Sequence, residues 1–189
     1  NGMGQPMDGK PPILHGELRS ADANPPDPIS RKPIDSVLVT GVKAIDGLLT
    51  VGRGQRLGIF AGTGVGKSTT LGMIARYTRA DANVICLVGE RGREVREFIE
   101  RDLGPEGLKR SVLVVATSDR SAIEKVYAAL FATTIAEYLR DQGMHVNLLM
   151  DSVTRYCMAL REIGIASGDQ LGPGGYPPAV WYKLSRLVE

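Results

Sequence analysis

From Val37 onward the chain alternates short, almost continuously apolar runs with longer stretches whose apolar residues recur every three or four positions. Four runs stand out: Leu57–Ala61 (LGIFA), Val84–Gly89 (VICLVG), Val112–Thr117 (VLVVAT) and Val146–Asp151 (VNLLMD). Short runs rich in β-branched residues predict strands, and their continuous apolarity predicts burial on both faces of a parallel sheet. The longest periodic stretch, Ser121–Gln142, carries Ile123, Val126, Tyr127, Leu130, Phe131, Ile135, Tyr138 and Leu139 at helical spacing, a stripe expected to pack in the core. Ser118, Asp119 and Ser121 can each cap its start, and Gly143 can end it. Further helices are expected from Lys67 and across Ser152–Gly164 (SVTRYCMALREIG). Strands alternating with helices predict an α/β fold with a doubly wound, mainly parallel sheet. The proline-rich start, with NPPDP at Asn24–Pro28, shows little periodicity. Residues 1–36 therefore read as a linker, and 37–189 as one domain.

Composition narrows the function only by exclusion. Lys and Arg number 23 against 21 Asp and Glu, a net charge of +2, which is no signature of a nucleic-acid reader. No apolar run reaches the roughly 20 residues of a membrane helix, and NGMGQPMDGK lacks a signal-peptide core. Cys86 and Cys157 have no zinc spacing and read as reduced core thiols. His15 and His145 have no metal-ligand neighbours and receive no role.

The chemistry begins at Phe60–Thr69, FAGTGVGKST. An apolar run, a glycine loop and a helix start follow one another, with alanine at the first glycine position of the phosphate-loop pattern. Glycines allow positive φ and let main-chain N–H groups converge on an anion at a helix N-terminus. Gly62, Thr63, Gly64, Val65, Gly66, Lys67, Ser68 and Thr69 are the expected phosphate cradle. Lys67 would reach the β- and γ-phosphates of ATP, and the Ser68 hydroxyl would bind Mg²⁺, a hard cation that prefers oxygen. A glycine turn with a solvated lysine is the plain alternative.

Hydrolysis needs more than a cradle. Asp151 ends an apolar run where ligands of open α/β sheets bind, and is the expected second metal residue; the alternative is an N-cap for the following helix. Ser152, not a glutamate, follows it, so the water-activating carboxylate must lie elsewhere. Glu90, directly after Val84–Gly89, is the candidate general base. Arg91 and Arg93 would add positive charge near an anionic transition state. Arg96, Glu97, Glu100 and Arg101 read as solvated i,i+4 charges.

FAGTGVGKST, GERGREVREFIE, DLGPEGL, TSDRS and MDSVTRY…REIG together resemble the catalytic domain of type III secretion ATPases, of injectisomes and of flagellar export, relatives of rotary ATP synthase catalytic subunits. The resemblance runs nearly end to end. It implies a RecA-type phosphate-loop NTPase that hydrolyses ATP with Mg²⁺ in a homohexameric ring. The ring would work in the bacterial cytoplasm, peripheral to the inner membrane at the base of the export machine. Implied partners are a central stalk, export-apparatus proteins and chaperone–substrate complexes, with no nucleic acid. The resemblance also places Arg91 at the γ-phosphate, Glu94 in the water network and Arg155 near the nucleotide. Against that family the chain starts where an N-terminal β-barrel ends, and its sheet is expected to be incomplete on the C-terminal side. The part supplying an arginine finger, worth about three to five decades of rate, would be absent, so this piece alone should be nearly inactive. LVVATSDRS inclines the reading toward the injectisome branch. The alternatives are an ATP-binding module that does not hydrolyse, or a RecA-type nucleic-acid translocase, which the dispersed arginines and 5% aromatic content disfavour.

Overall fold

The computed structural model describes residues 1–12, 16–62 and 64–189; Thr63 and His15 lie outside the described residues. The elements are α1 (Lys43–Leu48), α2 (Lys67–Tyr77), β1 (Ala82–Val88), α3 (Gly92–Glu97), a π-helical turn (Phe98–Leu103), α4 (Gly104–Lys109), β2 (Ser111–Ala116), α5 (Ala122–Asp141), β3 (Val146–Asp151), α6 (Val153–Ala166) and α7 (Pro178–Val188). The strands pair in the order β2-β1-β3, both pairings parallel, with Val84 opposite Val112 on one side and Leu148 on the other.

Because side chains alternate along a strand, β1 feeds two cores. Val84, Cys86 and Val88 face α5, α6 and α7, joined by Val114, Ala116, Tyr156 and Leu160. Ile85 and Leu87 face α2, α3 and the π turn, joined by Leu71, Ile74, Val95, Phe98 and Leu103. All seven β1 residues are buried, as an apolar run covered on both faces requires. The flanking strands are partly open, with Val112 and Leu148 exposed. Cys86 and Cys157 are buried free thiols. No helix of the described residues is long and apolar enough to cross a membrane.

One expectation fails and another is met in part. Leu57–Ala61 is not a strand: among the described residues it makes no main-chain hydrogen bond, and Phe60 is 97% exposed. Ile59 packs on the α2-side core, whereas Phe60 on the opposite face is uncovered among the described residues. An apolar run becomes a strand only where an edge accepts its N–H and C=O groups. The α5 stripe is met in part: Val126 is buried and Leu130, Phe131, Ile135 and Leu139 pack against the core, but Ile123, Tyr127 and Tyr138 do not. Ala122, Val126, Ala128, Ala129, Ala132 and Ala136 form the buried face, while Ile123, Tyr127 and Tyr138 are 56%, 46% and 40% exposed. α5 lies on all three strands, and its alanines let the backbone come close enough for Cys86 Sγ to donate to Ala128 O at 3.4 Å. Larger residues are turned to the flanks, where Leu130, Phe131, Ile135 and Leu139 are half-buried. The ends of α5 are as expected: the Ser121 side chain accepts from Glu124 N, and Gly143 follows with φ of 83°.

The leading residues form one short 3₁₀ turn, Pro28–Ser30, and are tied to the helical layer. Arg19 pairs with Asp141 at 2.7 Å at the end of α5, and Arg186 of α7 donates to Ala23 O and Asn24 Oδ1. At the other layer, the Arg110 guanidinium donates to the carbonyls of Ala75, Arg76, Thr78 and Ala80, closing the C-terminal end of α2. Gly72 lets α2 rest directly on the π turn, since a Cβ there would stand 2.7 Å from Asp102 O.

Candidate active site

Three segments converge where β1 and β3 end, side by side. The register sets Asp151 opposite Leu87, and the chain leaving β1 runs through Gly89 to Glu90. The loop before α2 comes up to the same end. Gly64 and Gly66 hold φ of 77° and 94°, which L side chains rarely adopt, and Gly66 is the N-cap of α2. The loop therefore opens straight into a helix whose first N–H groups have no intrahelical partner and can serve an anion.

Below the loop, Asp151 is 2% exposed. Its Oδ2 accepts from the Ser68 hydroxyl at 2.9 Å, and its Oδ1 lies 2.5 Å from Lys67 Nζ. The ion pair at Oδ1 lacks hydrogen-bond geometry, so this buried oxygen has no properly directed donor. The N-cap alternative for Asp151 is overturned: Ser152 holds the N-cap position of α6, and the Asp151 carboxylate turns to Lys67 and Ser68. Lys67 is likewise no solvated turn residue.

Burial pushes the Glu90 carboxyl up to about 7; a hydrogen bond with Glu94 and the negative charges of Asp151 and Glu94 act the same way, and Lys67 opposes them. The Glu94 carboxyl is held below its usual range, chiefly by that hydrogen bond from Glu90, with Arg91 contributing. Arg91 Nη1 stands 3.2 Å from Glu94 Oε1. The Arg155 chain lies against Gly89, where a Cβ would meet it at 3.1 Å.

These groups line a cleft of about 780 Å³, within the range of small-molecule sites. Gly62, Gly64, Gly66, Lys67, Ser68, Thr69, Glu90, Arg91, Glu94, Asp151 and Arg155 all lie on its wall. Val65 does not; its side chain is exposed. Arg93 is also elsewhere, 81% exposed and reaching back to Glu97 at 3.8 Å, because the helical turn after Arg91 carries it to the outer face. The solvated i,i+4 reading holds for Arg96 and Glu100, paired at 2.7 Å, and for Glu97, paired with Arg93; Glu97 and Arg101 also border the cleft. Ser118 and Ser152 line it too, and no local pattern marked them.

A glycine loop opening a helix, with lysine and serine meeting a buried carboxylate at the end of an adjacent parallel strand pair, defines a phosphate-loop nucleotide-binding domain. The profile of the ATP synthase alpha/beta family, nucleotide-binding domain, matches residues 41–189, and the chain belongs to that family. It is 59% identical over 189 residues to a flagellum-specific ATP synthase of Bacillus subtilis, covering 99% of this chain and 43% of that relative. It is 54% identical to a type 3 secretion system ATPase of Xanthomonas euvesicatoria, covering 100% and 43%. The chain thus spans less than half the length of these relatives, and both branches are represented among them. A solved structure of a prototypical ATPase from the type III secretion system of pathogenic bacteria superposes with a TM-score of 0.92 at 54% identity, over 99% of this chain and 54% of that one. The assembled ATPase EscN of enteropathogenic E. coli, in complex with its central stalk EscO, superposes with a TM-score of 0.92 at 54% identity, over 100% and 46%.

Proposed function

We propose that the protein carrying this chain hydrolyses ATP to ADP and phosphate as a subunit of a ring that energises type III protein export. The observation that supports this best is the meeting of Lys67, Ser68 and Asp151 beneath the glycine loop. Main-chain N–H groups of Gly62–Thr69 hold the phosphates, and Lys67 moves its ammonium from Asp151 to the β- and γ-phosphate oxygens. Ser68 and Asp151 fit a magnesium ion: both offer oxygen, they already touch, and one buried Asp151 oxygen lacks a directed donor. Among the described residues no cluster of three or more His, Cys, Asp or Glu could cage a metal alone, which suits an ion shared with phosphate. Magnesium held there would neutralise phosphate charge.

Glu90 takes a proton from the attacking water, and its raised pKa puts it near neutrality, where a base works best. Glu94 holds the Glu90 carboxyl, and Arg91 and Arg155 stabilise the charge that builds on the transferred phosphoryl group. The solved relatives described as an assembled ATPase and as bound to a central stalk support a homohexameric ring around a stalk. Export-apparatus proteins and chaperone–substrate complexes are the further partners. The ring is assigned to the cytoplasmic side of the inner membrane, at the base of the secretion apparatus.

The test is Glu90→Gln in the full-length protein. Turnover should fall by at least about 10²-fold, the lower end for loss of a general base, while ATP affinity stays within about twofold. Retained turnover, or binding lost together with it, contradicts the role of Glu90.

A further inference from the structure

The segment between β2 and α5, Thr117–Ser121, reaches the cleft and is bonded to the residue just read as the general base. Gly89 N donates to Ala116 O at 2.7 Å, and Ser118 N donates to Glu90 O at 2.9 Å. The β1–β2 ladder therefore continues two residues past the strand ends, fixing the main chain from which the Glu90 side chain departs. Ser118 is fixed in turn. Its carbonyl accepts from Lys125 Nζ at 2.9 Å, across from the first turns of α5. Arg120 N closes the turn on Thr117 O at 3.0 Å, and the Ser121 hydroxyl caps α5 through Glu124 N at 3.2 Å. Lys125 is the side chain that bridges from α5 to this turn, and α5 itself is locked to the sheet by its alanine face.

We infer that Lys125 is a positioning residue for hydrolysis: by holding Ser118 it sets the main chain of Glu90, without touching nucleotide. Lys125 does not border the cleft, whereas Ser118 and Glu90 do. Its loss leaves the Gly62–Thr69 loop, Ser68 and Asp151 as they are, so binding is spared. Misplacing a reacting group by about 1 Å can cost up to about 10²-fold in rate; a main-chain shift passed along one bonded turn should cost less. The inference rests on the role given to Glu90.

The experiment compares Lys125→Met, Lys125→Arg, Glu90→Gln and the Lys125→Met/Glu90→Gln double variant in the full-length protein. Turnover, KM, affinity for ATP without added metal, and thermal midpoint are measured for each. Lys125→Met should lower kcat about 5- to 20-fold with KM and metal-free affinity within about twofold, and Lys125→Arg should restore most of it. In the double variant Lys125→Met should cost nothing further. If Lys125→Met is insoluble, Lys125→Gln is read by the same measures. An unchanged kcat, or a kcat that falls only in step with affinity and thermal midpoint, overturns the inference. A Glu90→Gln protein that still turns over instead overturns the reading of Glu90, so the two failures are separable.

Discussion

Asp151 ends β3 with one carboxylate and two partners: an ammonium on one oxygen and a hydroxyl on the other. Burying such a carboxylate without those partners would cost several kcal/mol. Glu90, only a few residues past the neighbouring strand, sits in the opposite situation, with carboxylates around it and a burial that disfavours charge. The two acids thus have contrasting surroundings, one beside an ammonium and a hydroxyl, the other among carboxylates. The sign of the resulting pH dependence follows. Below about 7 Glu90 is mostly protonated and cannot accept a proton from water. The kcat/KM profile, which reports the free enzyme, should rise about tenfold per pH unit up to about 7 and then level. A flat profile from pH 5.5 to 8 contradicts the raised value. Stability gives a second check. A carboxyl whose folded pKa is raised from 4.5 to about 7 favours the fold below pH 4.5, and that contribution is lost as pH rises through about 7. Glu90→Gln should therefore raise the thermal midpoint relative to the parent at pH 8, and the gap should close by pH 5.

At the scale of elements, β1, β2, β3 and α5 were legible because their signals are local: apolar runs of strand length, a serine cap, a glycine stop. Where α5 turns its face was not. Residue size is a poor guide to burial when a helix lies flat on three strands, and alanine wins there because it lets the backbones approach. Leu57–Ala61 misled for a different reason, since a ladder is a non-local property and this run pairs with no strand among the described residues. The π turn was equally invisible in EVREFIERD, yet it carries Arg101 to the cleft and presses Asp102 onto Gly72. That contact is testable. Gly72→Ala places a Cβ 2.7 Å from a main-chain oxygen that has no rotamer by which to yield. α2 must then lift from the turn, at an expected cost of about 1–3 kcal/mol, seen as a thermal midpoint lower by several degrees. An unchanged midpoint would mean that the layers have more slack than this packing allows.

For the molecule as a whole, the sheet order is what makes a site of separate sequence motifs. The chain leaves β1 toward β2 through α3 and α4 on one face, then returns across β1 to β3 through α5 on the other. The crevice where these directions part is where open α/β sheets bind ligands, and here it gathers FAGTGVGKST, Glu90, Arg155 and Asp151. Lys67, Ser68 and Asp151 could be paired from sequence because a phosphate loop needs a strand-end carboxylate. Ser118 could not, because its closeness to Glu90 exists only once β2 lies beside β1. The central claim is that the glycine loop and Lys67 hold nucleotide phosphates and that Asp151 serves the metal. It is tested most directly by equilibrium binding of a fluorescent ATP analogue, with and without magnesium, to the parent, Lys67→Ala and Asp151→Asn proteins. The account predicts that Lys67→Ala weakens binding by about 10- to 100-fold in both conditions, the loss of a charge-assisted contact of about 1.5–3 kcal/mol. Asp151→Asn should keep metal-free affinity and lose the gain that magnesium brings to the parent. Parent-like affinity in Lys67→Ala, or an undiminished magnesium gain in Asp151→Asn, would contradict it.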